Sequence, residues 1–386
     1  MNAVRVVLAG IHGFGRNYLP VLRDLAAEGI AELAGVCDLR PASPDQLAGL
    51  GRPGQSTDLA ELVRRHDASL AVVATPPHTH APLALATMRA GAHVHLEKPP
   101  AASFTAYLQL LAESGRLRRA VQVGFQSLGS DAPGRVRELI ASGAVGRVRG
   151  ISATAAWSRD TAYYLRAPWA GLRRLPDGTD VVDGALTNPL AHAVATALAV
   201  DGGEIVSLET ELYRAFDIEA DDTSCLRAVT RGGLADGAPL LVAVTLAAPE
   251  QTPPVITVTG ERGRISYWYT EDRVRLEAAG RPPVESVEHR TVLLRHLVEQ
   301  LHAHGPEDPP RALVPLTSVR SFMQVLEAVR AAAPPVPLVA ARDLPAQGGA
   351  RRRVLPGITE LITTAAERGA LFSELPRFST VAGRNP

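Results

Sequence analysis

Lysine is almost absent from this chain. Of its 40 basic residues, 39 are arginine and the single lysine is Lys98. Forty acidic residues cancel this charge, and no block of like charge exceeds Arg351, Arg352 and Arg353, which we interpret as a solvated loop. The sequence therefore gives no electrostatic support for binding nucleic acid or a membrane surface.

Cysteine and long apolar runs are also scarce. Cys37 and Cys225 are the only cysteines and show no metal-ligand spacing, so we predict buried thiols and no metal site. The start, MNAVRVVLAG, runs directly into a short strand without a charged leader, a cleavage site or an apolar stretch of ~18 residues, so we expect a cytoplasmic protein. With 386 residues and 46% hydrophobic content, the chain is long enough for two domains.

Two different sequence patterns divide the chain. Short apolar runs alternate with helical patterns at first, which predicts a doubly wound α/β domain over residues 1–126. Longer alternating runs then predict a second α/β domain over 127–340, with a large open and mostly antiparallel sheet. We expect a late helix to pack back on the first domain, and a C-terminal extension at 341–386 with one surface helix.

A glycine-rich turn follows the first strand. It matches G-x-G-x-x-G in the first and last glycines, but His12 takes the second glycine position, so either the phosphate path is shifted or this side chain turns away. Asp38 ends the second strand and can bind a ribose diol, which favours NAD, whereas Arg40 could bind the 2′-phosphate of NADP. The predicted pyrophosphate-binding residues are Gly10, Ile11, His12, Gly13, Phe14 and Gly15.

Lys98 lies at the carboxyl end of a predicted parallel strand, where open α/β sheets bind ligands. A lysine is a compact ammonium whose pKa moves readily, which suits a site beside a nicotinamide where a hydroxyl loses a proton. The alternative is a plain salt bridge from Lys98 to Glu97 or a surface contact. Further cofactor contacts are predicted at neighbouring strand ends: Thr75, Pro76, His80, Glu97 and Gln126.

The segments GIHGFGRN, VVATPPHTH, AGAHVHLEKPP and GALTNPLAH together resemble the Gfo/Idh/MocA family of nicotinamide-dependent sugar and polyol oxidoreductases, from residue 4 to about 340. The resemblance implies a Rossmann domain, then a domain with an open sheet through which dimers or tetramers form. It implies that Lys98 touches both the nicotinamide ribose and the reacting hydroxyl. It also places the family's D-x-x-x-H pair on a helix, with His192 as the histidine and Asn188 where aspartate is usual.

The residues around this pair leave two interpretations open. Asn188 and His192 are four positions apart and would share one helix face, but Asn188 before Pro189 would also suit a helix N-cap. An aromatic and cationic segment precedes them, and we predict that it binds substrate, with structural packing as the alternative. Its predicted contacts are Tyr163, Arg166 and Trp169.

We therefore expect an NAD(P)-dependent oxidoreductase that transfers a hydride between nicotinamide and a secondary alcohol of a sugar, inositol or sugar derivative. His192 would be the proton acceptor, and Lys98 would polarise the hydroxyl. Two other functions stay open: a tightly bound cofactor used for transient oxidation in hydrolysis or epimerisation, and a non-catalytic sensor that binds NAD(P). The expected partners are a small sugar or polyol and further copies of the chain, in a homodimer or homotetramer.

Overall fold

A computed structural model of the protein describes residues 3–382. Strands and helices alternate over the first third of the chain. The elements are β1 (Val4–Ala9), α1 (Leu19–Ala27), β2 (Ala31–Cys37), α2 (Pro44–Leu47), β3 (Gly54–Ser56), α3 (Leu59–Arg65), β4 (Leu70–Val73), α4 (Pro77–Arg89), β5 (His93–Leu96), α5 (Phe104–Leu117) and β6 (Val121–Val123).

These six strands pair in parallel in the order β3-β2-β1-β4-β5-β6. All residues of β4 and β5 are buried, because helices cover both faces of a parallel sheet. The strand order reverses between β1 and β4, and ligands of open α/β sheets bind at the carboxyl ends of the strands beside such a reversal. The predicted doubly wound fold is confirmed.

The remaining elements contain longer strands and fewer helices. They are α6 (Ala132–Ala141), β7 (Val148–Ala156), α7 (Thr161–Tyr164), α8 (Ala191–Asp201), β8 (Glu204–Arg214), β9 (Thr223–Arg231), β10 (Pro239–Thr245), β11 (Val255–Gly260), β12 (Gly263–Trp268), β13 (Arg273–Ala278), β14 (Val284–Val287), α9 (Leu293–His304), α10 (Arg320–Ala331), β15 (Val336–Pro337), β16 (Arg342–Pro345), β17 (Arg351–Val354), α11 (Ile358–Arg368) and α12 (Phe378–Ala382).

Nine strands form the second sheet, in the order β14-β13-β12-β11-β7-β10-β9-β8-β15. Only the pairs β10–β7 and β15–β8 are parallel. The large, mostly antiparallel sheet predicted from the alternating runs is therefore confirmed. None of the helices between residues 3 and 382 is long and apolar enough to cross a bilayer.

The chain divides into two compact units, 1–129 with 291–323, and 130–290 with 324–386. In the first unit, Leu294, Leu297 and Leu301 of α9 join the same buried core as Val6 and Leu8 of β1. The predicted second domain, 127–340, is thus interrupted by a segment that completes the first unit.

Residues 341–382 contain more structure than the one predicted surface helix. They form the hairpin β16–β17, helix α11 and helix α12. Ile358, Leu361 and Ile362 of α11 share a core cluster with Leu241 and Ala243 of β10 in the second unit. The other residues of β10, on its opposite face, are also buried, so both faces of this strand are covered.

Candidate functional site

The glycine-rich turn lies tightly against the backbone at the end of β4. Gly10 has a φ of +90°, and a Cβ there would lie 2.5 Å from the carbonyl oxygen of Ala74. A Cβ at Gly15 would lie 2.4 Å from the carbonyl oxygen of Gly10. The turn therefore requires glycine at the two positions that match the fingerprint, and it leads into a 3-10 helix, Phe14–Tyr18, just before α1.

The His12 side chain turns away from the glycine-rich turn. Its Nε2 is 3.2 Å from the carbonyl oxygens of Arg40 and Pro41, and its Nδ1 is 3.4 Å from the amide nitrogen of Gln46. Of the two interpretations of His12, this geometry favours the one in which the side chain leaves the phosphate path. The Asp38 carboxylate follows β2, where Oδ1 accepts a hydrogen bond from the Arg40 backbone at 3.2 Å.

His80 lies beneath the loops that follow β4 and β5. It is 1% exposed, and its ring nitrogens are each 2.7 Å from a backbone carbonyl oxygen, one of Thr75 and one of Pro99. Burial lowers the pKa of His80 to about 4, and the two carbonyls act in the opposite direction. A neutral imidazole carries one N–H, so His80 donates to only one of the two carbonyls, and the predicted cofactor contact at His80 stays a prediction.

A buried hydrogen-bonded network surrounds Glu97. The Tyr18 hydroxyl donates to Glu97 Oε1, and Gln126 Nε2 donates to the same oxygen at 3.1 Å. Glu97 Oε2 accepts the backbone N–H of Lys98 at 3.1 Å. Burial raises the pKa of Glu97, while the Tyr18 hydroxyl and the Lys98 charge lower it. The carboxylate thus fixes the backbone of the lysine.

His95 extends this network. Its Nε2 is 2.9 Å from the Tyr18 hydroxyl oxygen, which accepts because the hydroxyl hydrogen is directed at Glu97. Its Nδ1 is buried and has no hydrogen-bond partner among residues 3–382, so Nε2 carries the proton of a neutral ring. Burial lowers the pKa of His95 to about 3.

In the second unit, Asn188 is not a helix cap. Helix α8 begins at Ala191, and Asn188 lies in a preceding turn where its backbone N–H donates to the Gly184 carbonyl at 3.0 Å. Its side-chain Nδ2 donates to Asp183 Oδ1 at 2.6 Å. The amide is therefore oriented by a carboxylate, with its oxygen Oδ1 on the side away from Asp183.

Asp183 holds three donors. Besides Asn188, it accepts the Gly171 backbone N–H at 2.7 Å and Arg166 Nη2 at 3.2 Å. Its side chain is 1% exposed. The preceding residue, Val182, has a φ of +56°, a left-handed conformation that is strained for a β-branched side chain. Such strain persists only where the surrounding contacts hold the backbone in place.

His192 lies in the first turn of α8 and is half-buried. Its ring is stacked near Tyr269, with the centroids 6.4 Å apart and an interplanar angle of 27°. The Tyr269 hydroxyl is buried without a hydrogen-bond partner in the part of the chain that the structure describes. Burial raises the pKa of this phenol well above its ordinary value.

The predicted aromatic and cationic segment forms one stack. The Arg166 guanidinium carbon is 3.8 Å from the Tyr163 ring centroid and 4.9 Å from that of Trp169. On the same tyrosine, Arg159 lies 5.1 Å from the centroid, and it is also 4.8 Å from the Trp157 ring. The structure therefore brings together the three predicted residues and adds two that the sequence analysis did not include.

The sequence analysis did not predict several residues that contact the candidate site residues. Asp183, Tyr18 and His95 carried no motif, because their partners are set by loop geometry and not by a fixed spacing. Two glycines had a readable signal only after the fold was known. A Cβ at Gly124 would lie 2.9 Å from Glu97 Oε1, and one at Gly184 would lie 1.9 Å from an Asp221 carboxylate oxygen.

The parallel sheet and its glycine-rich turn are those of a dinucleotide-binding domain. Residues 4–125 match the model described as an oxidoreductase family with an NAD-binding Rossmann fold. Residues 134–266 match the Gfo/Idh/MocA C-terminal domain. The chain belongs to the Gfo/Idh/MocA family, as the resemblance predicted, and its N-terminal domain is of the NAD-binding type.

Named relatives are similar over part of their length. A glycosyl hydrolase family 109 protein of Saccharopolyspora erythraea is 34% identical over 128 residues, 31% of this chain and 27% of the relative. A 4-carboxy-2-hydroxymuconate-6-semialdehyde dehydrogenase of Sphingobium is 32% identical over 101 residues, 26% of this chain and 31% of the relative. The fold is similar to that of the WlbA dehydrogenase of Chromobacterium violaceum, solved with NADH and UDP-GlcNAcA, with a TM-score of 0.70, 20% identity, and coverage of 85% of this chain and 93% of that one.

Proposed function

We propose that the protein is an NAD-dependent dehydrogenase that oxidises a secondary alcohol of a sugar, inositol or sugar derivative. The observation that carries this proposal is how buried side chains contact the backbone at Lys98, the one lysine in the chain. The Lys98 backbone N–H is bound by the buried Glu97 carboxylate, and the carbonyl oxygen of the following Pro99 lies 2.7 Å from Nδ1 of the buried His80. A surface salt bridge would not require two buried groups to fix its backbone.

The residues of the first unit fit a bound dinucleotide. Gly10 and Gly15 permit the close backbone approach that a pyrophosphate needs, and the Asp38 carboxylate at the end of β2 suits an adenosine ribose diol. That carboxylate repels a 2′-phosphate, which favours NAD, although the exposed Arg40 beside it keeps NADP as the alternative. NAD, when bound, supplies the hydride acceptor.

The residues of the chain handle the proton and the developing charge. The Lys98 ammonium hydrogen-bonds the reacting hydroxyl and stabilises its negative charge. The His192 imidazole accepts the hydroxyl proton. Asn188 presents its amide oxygen to a substrate hydroxyl, because Asp183 fixes the direction of its Nδ2. Because Asn188 stands where aspartate is usual in the family, the carboxylate of this hydrogen-bonded pair belongs to Asp183.

The test is a panel of sugars and inositols, with NAD or NADP, followed at the absorbance of reduced nicotinamide. We expect reduction of NAD by at least one polyol. His192→Ala should lower kcat about 100- to 10,000-fold. Lys98→Ala should abolish steady oxidation while NAD binding and the folded state, checked by circular dichroism, persist. Full turnover by the Lys98→Ala variant contradicts the assignment.

One observation favours a second function. The similarity to a glycosyl hydrolase family 109 protein is compatible with a tightly held cofactor used for transient oxidation during hydrolysis or epimerisation. In that case nicotinamide stays bound through purification, and turnover produces no net reduced cofactor. A sensor would bind NAD tightly but would change none of the sugars in the panel.

A further inference from the structure

Two arginines in the second unit lie near the stack around Tyr163 without a carboxylate partner. Arg159 and Arg352 are half-buried, and neither has an acidic group within ion-pair distance among residues 3–382. The third arginine of the group, Arg166, has Asp183. A partly desolvated guanidinium without a counter-charge is costly, so the arrangement needs an explanation.

Both unpaired guanidinium groups converge on Ser158. Arg159 Nη1 donates to the Ser158 carbonyl oxygen at 3.1 Å, and Arg352 Nη1 donates to the Ser158 hydroxyl at 3.3 Å. The nearest acidic residue in sequence, Asp160, uses its carboxylate to accept the Tyr163 backbone N–H at 3.0 Å, as the N-cap of α7. Among residues 3–382, no ion pair joins this carboxylate to Arg159 or Arg352.

Strand geometry explains why Arg352 differs from its neighbours. Successive residues of β17 point to opposite faces, so Arg351 and Arg353 share a face and Arg352 takes the other. The Asp343 carboxylate lies within 3.7 Å of Arg351 and 3.2 Å of Arg353. The sequence indicated that the arginine triplet is a solvated loop, and the structure differs. Arg351 and Arg353 pair with Asp343, whereas Arg352 faces the α7 turn.

Backbone contacts hold β17 beside that turn. The Arg351 N–H donates to the Thr161 hydroxyl at 3.1 Å, residues Asp160 and Arg352 form a β-bridge, and the Leu355 N–H donates to the Ala247 carbonyl at 2.8 Å. The hairpin β16–β17 therefore positions Arg352 beside Ser158. This gives the C-terminal residues a part in the α7 region beyond covering the sheet.

Aromatic contacts fix the faces of Arg159 and Arg166. The guanidinium carbons of these two arginines lie over the rings of Trp157, Tyr163 and Trp169. Stacking uses the face of a guanidinium and leaves N–H groups at its edge to bind oxygen atoms. Guanidinium forks match carboxylate and phosphate oxygens with two parallel hydrogen bonds, and such charge-assisted bonds are strong.

We propose that Arg159 and Arg352, supported by Arg166, bind an anionic group, a carboxylate or a phosphate, on the sugar substrate. This inference rests on the proposed function, because it takes the α7 segment as the substrate-binding side of the enzyme. It deepens that function by naming the substrate class: an acidic sugar or a sugar phosphate, and not a neutral polyol.

The experiment uses the full chain saturated with NAD and three probes: glucuronate, glucose 1-phosphate and neutral glucose. Tryptophan fluorescence reports binding, because Trp157 and Trp169 touch the proposed site, and calorimetry gives Kd. We expect at least one anion to bind about 10-fold or more tightly than glucose, with a Kd that rises with salt. Stronger binding of glucuronate identifies a carboxylate, and stronger binding of glucose 1-phosphate identifies a phosphate.

Matched variants locate the site. Arg159→Gln and Arg352→Gln should each weaken binding of the preferred anion about 10-fold and leave glucose unchanged. Arg351→Gln is the control, since it removes the same charge from the same strand but faces Asp343. The proposal is overturned if glucose binds as tightly as both anions, or if the two variants behave like the control.

Failure of this inference differs from failure of the proposed dehydrogenase. Anion binding that depends on Arg159 and Arg352, without reduction of NAD by glucuronate, by glucose 1-phosphate or by any sugar of the panel, keeps the site and removes the reaction. Reduction of NAD by neutral polyols, with rates unchanged in Arg159→Gln and Arg352→Gln, keeps the reaction and removes the site.

Discussion

Asp183→Asn is the most informative single change in the second unit. The native carboxylate accepts from Gly171, Arg166 and Asn188, and its side chain is 1% exposed. An asparagine has one acceptor end and one donor end, so it cannot accept from both sides as the carboxylate does. If the donor end faces Asn188, that amide must rotate by half a turn to offer its oxygen.

The magnitude follows from the three contacts. Losing the charge-assisted hydrogen bond to Arg166 costs about 1.5 to 3 kcal/mol, and any donor left buried without a partner adds about 1 kcal/mol or more. We expect the free energy of unfolding to fall by about 2 to 4 kcal/mol. If the proposed function holds, oxidation should also slow, because a rotated Asn188 would direct Nδ2 to where the proposal places its Oδ1.

Equilibrium urea unfolding followed by tryptophan fluorescence is the assay, since Trp157, Trp169 and Trp268 are the only tryptophans and all belong to the second unit. Asp217→Asn is the control: this carboxylate is fully exposed beside Arg214, and its loss should be nearly neutral. A loss no larger than that of the control would refute the reasoning.

A swapped variant separates orientation from simple damage. Asp183→Asn combined with Asn188→Asp restores an amide-to-carboxylate hydrogen bond between the two positions. The double change should be more stable than the sum of the single changes predicts, because the two side chains touch. Additive losses would show that the hydrogen bond does not couple the two residues.

Two further predictions concern buried groups. Because the folded-state pKa of His95 is lowered to about 3, the unfolded chain binds a proton below pH 6.5 that the folded chain refuses, so this contribution to stability is present above that pH and is lost as the pH falls. From this histidine we expect the free energy of unfolding to fall by about 2 kcal/mol between pH 7 and pH 5, measured by circular dichroism in urea. The loss should be absent in the variant His95→Phe and unchanged in His304→Gln, a control at an exposed position. Gly184→Ala should cost about 1 to 3 kcal/mol by tryptophan fluorescence, because its Cβ would meet Asp221 at 1.9 Å, whereas Gly134→Ala, with open space at its Cβ, should be neutral or slightly stabilising.

The fold was predictable because its signals are local. Strands such as β4 and β5, buried on both faces, appear in the sequence as short runs of Val, Ala, Leu and His between helical patterns. The glycine-rich turn was equally readable, since Gly10 and Gly15 meet backbone atoms that leave no room for a side chain. Backbone constraints of this kind depend on a few neighbouring positions.

The second half of the site was harder to predict because its contacts obey no helical spacing. We expected Asn188 either on one helix face with His192 or at the N-cap of that helix. In the structure the Leu190 N–H donates to the Ala185 carbonyl at 3.0 Å, and the helix begins only at Ala191. The carboxylate that orients Asn188 comes from Asp183, on the far side of the turn. The prediction that Arg352 lies in a solvated loop was wrong for a similar reason. Its side chain points to the face opposite Arg351 and Arg353 because the segment is a strand, and the sequence did not indicate a strand there.

The order of synthesis gives the interrupted layout of the chain a consequence. Residues 291–323 complete the core of the first unit, although its six strands are made before residue 124. Likewise, residues 355–382 supply one side of the core against β10, which is made more than a hundred residues earlier. During translation, each unit therefore exposes an apolar face until a distant segment is made, and exposed apolar surface of this kind favours aggregation.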